Sequence, residues 1–143
     1  MKLSSKDFSD NGCIPTEFTC DGRNVSPHIS WEEVPDETKS FAFSVTDPDA
    51  LGGWIHWLVF DIAKELREIK KNSKPKGAKE IDNDFDKKSY GGPCPPSGTH
   101  GYVFTIYALD IEHLDGLNKR NFIDKVEQHS IAKAKIKGLY KRK

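Results

Sequence analysis

Three stretches of this chain hold the side chains best suited to chemistry: one inside an apolar run, one at a strand end and one in a loop. His56 sits inside the apolar run Trp54-Ile55-His56-Trp57-Leu58. A buried imidazole must find hydrogen-bond partners or bear the cost of desolvation. It therefore reads either as a satisfied core histidine or as a ring held ready for a ligand. Period-two alternation puts it on the same strand face as Trp54 and Leu58. Asp47 opens the run Asp47-Pro48-Asp49-Ala50. Asp before Pro is a turn signal, yet alternation also places Asp47 on the face of Phe41, Phe43 and Val45, which aims its carboxylate inward. A carboxylate there needs a donor, and a neighbouring imidazole is a natural one.

The third stretch runs from Tyr90 through Gly91-Gly92-Pro93-Cys94-Pro95-Pro96-Ser97-Gly98-Thr99 to His100. Pro93, Pro95 and Pro96 fix φ and stiffen the loop, while Gly91, Gly92 and Gly98 allow unusual backbone angles. Amides freed by such geometry can converge into an anion-binding nest, although the same composition also makes a plain loop. If a strand begins at His100, then His100 and Tyr102 project to one side. Imidazole and phenol donors at the exit of a stiff loop suit a phosphate, which is compact, charged and rich in acceptor oxygens.

Two enzymatic readings compete with binding. Asp47, His56 and His100 have the residue types of a 2-His-1-carboxylate metal site, as in a metal-dependent hydrolase. Spacing alone supplies no ligand geometry, however, and no H-E-x-x-H motif accompanies them. Cys94 with His100 as base would make a nucleophile, but Cys94 stands between two prolines with no helix N-terminus to lower its pKa. A small apolar loop residue is its plainer role. The expectation is a binding module with no catalytic residue, no metal and no cofactor.

The elements that must position these groups are mostly strands. Ser40–Thr46 alternates; Trp54–Phe60 is apolar on both faces, with Trp54, Leu58 and Phe60 opposite Ile55, Trp57 and Val59, as in a central covered strand. Tyr102–Leu109 repeats that pattern, with Phe104 and Ile106 opposite Val103, Tyr107 and Leu109. Residues 9–28 read as turns and short extended pieces, and 63–89 as a long Lys- and Asp-rich surface excursion. One helix is expected after Leu117, capped by Asn118 or Asn121, stapled by Phe122 and Val126 and stopped by Gly138. Its Lys-rich end suits the negative pole of the helix dipole. The sum is a mainly all-β antiparallel sandwich of two sheets with a peripheral C-terminal helix, one domain over residues 1–143.

Bulk properties narrow the function. No apolar run is long enough to span a bilayer, and Met1–Lys6 lacks the apolar core of a secretory signal. A cytoplasmic location is the default expectation. Residues 1–62 carry four Lys or Arg against 11 Asp or Glu, and residues 63–143 carry 18 against 11. A basic nucleic-acid or membrane arm is one reading of that second half. The cations are interspersed with Glu and lack interleaved aromatics, which favours oppositely charged faces of one interleaved domain, with no nucleic acid as partner. Cys13, Cys20 and Cys94 are an odd count, which fits a reducing compartment better than a disulfide framework; a Cys13–Cys20 bridge is conceivable. With no paired C-x-x-C, a structural zinc site is not expected.

In order along nearly the whole chain, the sequence resembles the phosphatidylethanolamine-binding protein family, also called Raf kinase inhibitor-like proteins, in its short bacterial and archaeal branch. The matching runs are Phe18-Thr19-Cys20-Asp21-Gly22 with Ser26-Pro27 and Trp31, then Thr46-Asp47-Pro48-Asp49-Ala50 and Trp54-Ile55-His56-Trp57. They continue through Asn83-Asp84-Phe85, the Tyr90–His100 loop, Tyr107-Ala108-Leu109-Asp110 and Gly138-Leu139-Tyr140. The resemblance implies two antiparallel sheets with a pocket at one edge for phosphate, phosphorylethanolamine-like head groups or other small anions. By motif position the pocket residues are Asp47, His56, Gly92, Pro95, Pro96, His100 and Tyr102. It also implies a kinase or protease partner as a candidate role, with residues 63–89 the most available surface, and it admits a homodimer. Two positions depart from the pattern: Gly101 stands where the family usually has Arg, and Leu51 where Pro is common.

Overall fold

The computed structural model describes residues 1–142, in which eight strands and one α-helix alternate with turns. In chain order they are β1 (Lys2–Ser4), β2 (Ile29–Glu32), β3 (Ser40–Asp47), β4 (Trp54–Ala63), β5 (Glu68–Ile69), β6 (Lys79–Ile81), β7 (His100–Leu109), α1 (Phe122–His129) and β8 (Ser130–Tyr140). A 3₁₀ turn at Thr16–Phe18 punctuates the irregular N-terminal segment. Two antiparallel sheets result, ordered β1-β2-β5 and β6-β4-β3-β7-β8. The large sheet therefore interleaves β3 and β4 from the acidic half with β6, β7 and β8 from the basic half.

The alternating runs fold as their periodicity demands. From β3, Phe41, Phe43 and Val45 face the inner core between the sheets, joined by Phe104, Ile106 and Tyr102 of β7 and by Trp31 and Ile29 of β2. The opposite face of the large sheet, with Ala42, Leu58, Phe60, Tyr107 and Leu109, is covered by α1 through Phe122 and Val126. Both helix residues are fully buried. Covering a side chain of this size stabilises the fold by about 1.5–3 kcal/mol, so α1 holds to the sheet by its two-residue apolar stripe.

The C-terminal segment departs from the sequence expectation. The helix begins after Asn121, but it ends at His129, and residues 130–140 form an 11-residue strand with Gly138 inside it. Ala and Lys are good helix formers, and that preference is overridden by ten paired positions against β7. The run Ile131-Ala132-Lys133-Ala134-Lys135-Ile136-Lys137 also alternates with period two, and in β8 exposure alternates with it.

A second departure lies in β4. Val45 pairs with Trp57 and Thr46 with Ile55, so His56 is the extra residue of a bulge. The bulge resets the alternation: Trp57 joins the inner core, whereas Leu58 and Ile55 belong to the helix side. His56 packs against the inner-core ring of Tyr102 and so does not share the face of Leu58. The cysteines are a third correction. Cys20 and Cys94, 74 residues apart, form a disulfide, and Cys13 is free and exposed. That bridge removes the odd-count argument for a reducing compartment and the Cys13–Cys20 pairing. Among the described residues no helix is long and apolar enough to cross a membrane.

Candidate functional site

At the end of the large sheet where β3 stops and β4 and β7 start, a cavity of about 350 Å³ opens. Asp47, His56, His100 and Tyr102 line it together with Trp54, Phe85, Cys94, Pro95 and Pro96, and Ala50 and Leu51 stand at the loop beside it. Six of the seven expected residues are thus brought to one place. Gly92 is not among the lining residues. Its N–H donates to Asn24 Oδ1 at 2.8 Å, and a Cβ there would strike Phe18 O and Asn24 Oδ1. Gly92 is required for close packing of the loop on the 18–24 segment, so its amide is already engaged.

Each polar group is held by a different device. Asp47 is 3% exposed at the end of β3. Its Oδ1 accepts the amides of Asp49 and Ala50 (2.9 and 3.2 Å), the usual way an Asp organises the turn that follows it. Its Oδ2 meets Nδ1 of His100 at 2.6 Å. The Asp49 carboxylate in turn accepts the Gly101 amide at 2.7 Å, tying the turn to the first residues of β7. His100 is therefore fixed through Nδ1, which leaves Nε2 as its unengaged ring nitrogen.

His56 is oriented in the same sense by another partner. Its Nδ1 donates to Gly91 O at 2.6 Å, again leaving Nε2 unengaged. Burial holds its pKa below the ordinary imidazole value, opposed by the Gly91 carbonyl and the charges of Asp47 and Asp84. The ring is neutral near neutral pH. Past Ile81, among the described residues, no strand continues along this side of β4, and the 83–91 loop takes over its hydrogen bonding. Ile55 exchanges bonds with Asp84, and the His56 carbonyl accepts from Asn83 Nδ2 (2.8 Å) and Gly91 N (3.1 Å). Asn83 also accepts the amides of Phe85 and Lys87, which folds the loop so that Phe85 packs edge-on against His56 at 5.2 Å. Gly91 is needed there because a Cβ would enter the Phe85 ring.

Tyr102 is fully buried between the two imidazoles, perpendicular to His56 (5.2 Å between centroids) and stacked near His100 (6.3 Å). Burial, reinforced by the nearby Asp47 charge and opposed by the Cys94 backbone amide near the oxygen, pushes its phenol well above the usual value. It stays protonated and is a donor. Its hydroxyl has no hydrogen-bond partner among the described residues, a state that costs about 1–3 kcal/mol when a polar group is buried.

The walls explain what sequence reasoning missed. Cys94 lines the cavity from inside the Cys20–Cys94 bridge, so it is a crosslink and not a thiolate nucleophile. The bridge, the Cys20 amide on Pro93 O (3.1 Å) and the Tyr90 hydroxyl on Phe18 O (2.7 Å) anchor the proline loop to the N-terminal segment. Trp54 and Phe85 form an apolar wall in mutual edge contact at 5.7 Å. Their signal was their place in matching runs next to His56 and Asn83. Leu51 is fully exposed at the mouth. Gly101 does not line the cavity: a Cβ there would meet the Lys137 stem at 2.9 Å and the Asp49 carboxylate at 3.4 Å. Asp47, His56 and His100 share the cavity, but Asp47 bonds the His100 ring itself. Among the described residues no group of three His, Cys, Asp or Glu side chains is disposed to hold a metal ion.

A two-sheet sandwich with this cavity at its edge defines a class, and comparison with known proteins gives the family. Residues 4–141 match the family model described as phosphatidylethanolamine-binding protein. A UPF0098 protein of Methanothermobacter thermautotrophicus is 41% identical over 99% of this chain and 99% of its own length. The UPF0098 protein YbhB of Escherichia coli is 37% identical over 98% and 99%. Among solved structures, Escherichia coli YbcL, described as a member of the mammalian PEBP family, superposes with a TM-score of 0.94 at 31% identity, covering 99% of this chain and 98% of that one. Carboxypeptidase Y inhibitor, crystallised with its cognate proteinase, shares the fold at a TM-score of 0.65 and 17% identity, covering 99% of this chain and 83% of that one. The chain belongs to the phosphatidylethanolamine-binding protein family.

Proposed function

We propose that the protein is a binding module for a small anion, phosphate or a phosphorylethanolamine-like head group, seated against His56, His100 and Tyr102. What carries the reading is the buried Tyr102 hydroxyl without a partner, flanked by two imidazoles whose Nδ1 atoms are both occupied. A tetrahedral anion supplies the acceptor that the phenol lacks and accepts from both Nε2 atoms once they carry protons. Asp47 orients His100 through its Nδ1. Backbone amides of Gly92 play no part, because Asn24 already takes that donor.

The proton balance makes a test. A ring that is neutral in the free protein and charged beside an anion takes up a proton on binding, so affinity rises as pH falls. Because His56 is depressed below its ordinary value of about 6.5, the rise continues below that pH and levels once the free protein is itself protonated there. Calorimetric titration with sulfate, whose charge is constant between about pH 5 and 8, isolates the protein's protons from those of the ligand. Phosphate and phosphorylethanolamine then compare ligands at one pH. Affinities indifferent both to pH and to His100→Ala would remove the cavity from consideration.

A further inference from the structure

The large sheet has two edges, and they are treated differently. On one side β6 is only three residues long, and short edges offer little to pair with. On the other, β8 runs for 11 residues; β1 of the small sheet approaches it without pairing, and the N-terminal segment hydrogen-bonds to it over only part of its length. Asn11 N donates to Lys137 O (2.6 Å), Leu139 N to Gly12 O (2.8 Å) and Ile14 N to Leu139 O (2.7 Å), while Asp10 Oδ1 accepts Lys137 N at 2.8 Å. Past Lys137 the N-terminal segment turns away through the Gly12–Ser9 bond.

Backbone groups of an antiparallel strand alternate between its two neighbours. Since Lys137 and Leu139 point outward, so do Lys135 and Lys133, for which the described residues provide no partner on that side. Along this open stretch the two faces differ. Ala132 and Ala134 are half-buried beside the inner core, and Lys133, Lys135 and Lys137 are exposed on the other face. Glu127 pairs with Lys133 at 2.9 Å, and no carboxylate among the described residues pairs with Lys135 or Lys137.

Edge lysines guard against self-pairing: a second β8 laid alongside would oppose lysine to lysine, which is destabilising. The same row attracts carboxylates. Within the chain, the Asp10 carboxylate accepts the outward backbone amide of Lys137, so a side-chain carboxylate already caps this edge at the point where coverage stops. We propose that the open edge of β8 from Ile131 to Lys135 receives an extended acidic segment of a partner protein, which continues the ladder begun by residues 10–14. Its carboxylates lie over Lys133 and Lys135 and its small apolar side chains over Ala132 and Ala134. The site is separate from the cavity and independent of what the cavity binds.

An acetylated peptide of alternating Glu and Val is the probe, with the Lys and Val counterpart as control, titrated into the full chain by calorimetry and amide exchange. Saturable one-to-one binding of the acidic peptide is expected, weakening with salt, with slowed exchange at the Lys133 and Lys135 amides. Lys135→Pro removes the outward donor at an edge position that tolerates proline and should weaken binding about tenfold, the value of one hydrogen bond. Should that variant fail to fold, the double variant Lys133→Glu with Lys135→Glu should exchange the preference from the acidic to the basic peptide. Absence of saturable binding, equal binding of both peptides, or unchanged affinity in these variants overturns the proposal. So does a concentration-dependent dimer that protects the same amides, which would assign the edge to a second copy.

Discussion

An Asp–His contact lies at each end of the large sheet, and the two behave differently. At the cavity end, Asp47 and His100 are 2.6 Å apart with side chains 4% and 13% exposed. At the far end, Asp61 and His113 are 3.3 Å apart; Asp61 is buried, but His113 is 67% exposed. Asp47 has both oxygens bonded, one by its own turn and one by the ring. Asp61, held in a left-handed backbone position (φ 54°), uses Oδ1 to accept Leu114 N at 3.0 Å, and its Oδ2 has no hydrogen-bonded partner among the described residues. Lys79 is 3.3 Å from that same oxygen and is itself mostly exposed. The first contact orients a ring into an enclosed space; the second fastens a loop, with the exposed Lys79 ammonium and His113 ring beside it. Residue types are the same, and burial of the histidine separates the roles.

Substitutions put this contrast to the test. The largest effect is expected for Asp47→Ala, which removes three hydrogen bonds to one carboxylate, two from its own turn and one from the half-buried His100 ring, and should cost about 3–5 kcal/mol in denaturant unfolding, with anion affinity falling as His100 loses its orientation. Cys20→Ser should cost about 2–4 kcal/mol. Because the bridge braces only the cavity end, exchange at amides of the 91–98 loop should quicken while those near Leu114 are unchanged. Tyr102→Phe separates stability from binding. Removing a buried hydroxyl without a partner should leave stability equal or raise it by about 1 kcal/mol, while sulfate affinity drops about tenfold, one charge-assisted hydrogen bond. The smallest effect belongs to His113→Ala, within about 0.5 kcal/mol, as for other exposed ion contacts. A loss at His113 as large as that at Asp47 would dissolve the distinction between the two ends.

The contrast also marks how far the sequence could be followed. Alternation at Ser40–Asp47 and Tyr102–Leu109 was sufficient to place Asp47 inward and His100 beside Tyr102, because these two strands pair without a register shift and side chains alternate along an uninterrupted strand. In β4 the same rule broke at two bulges, and the one at His56 put both Ile55 and His56 on faces opposite to those that alternation assigned. The bulge at His56 depends on how two strands register, and no single-strand pattern carries that information. At residues 130–140, Ala and Lys satisfied both a helix and a strand, and pairing with β7 decided between them.

Local chemistry was therefore written in the chain: which strands alternate, which loop is stiff, and which side chains could donate to an anion. Tertiary structure alone decided the rest. It joined Cys20 to Cys94 across 74 residues, committed the Gly92 amide to Asn24, and left the Tyr102 hydroxyl without a partner between two rings. These are relations between segments distant in sequence, set by packing and loop closure, and a residue's own neighbours in the chain hold no record of them.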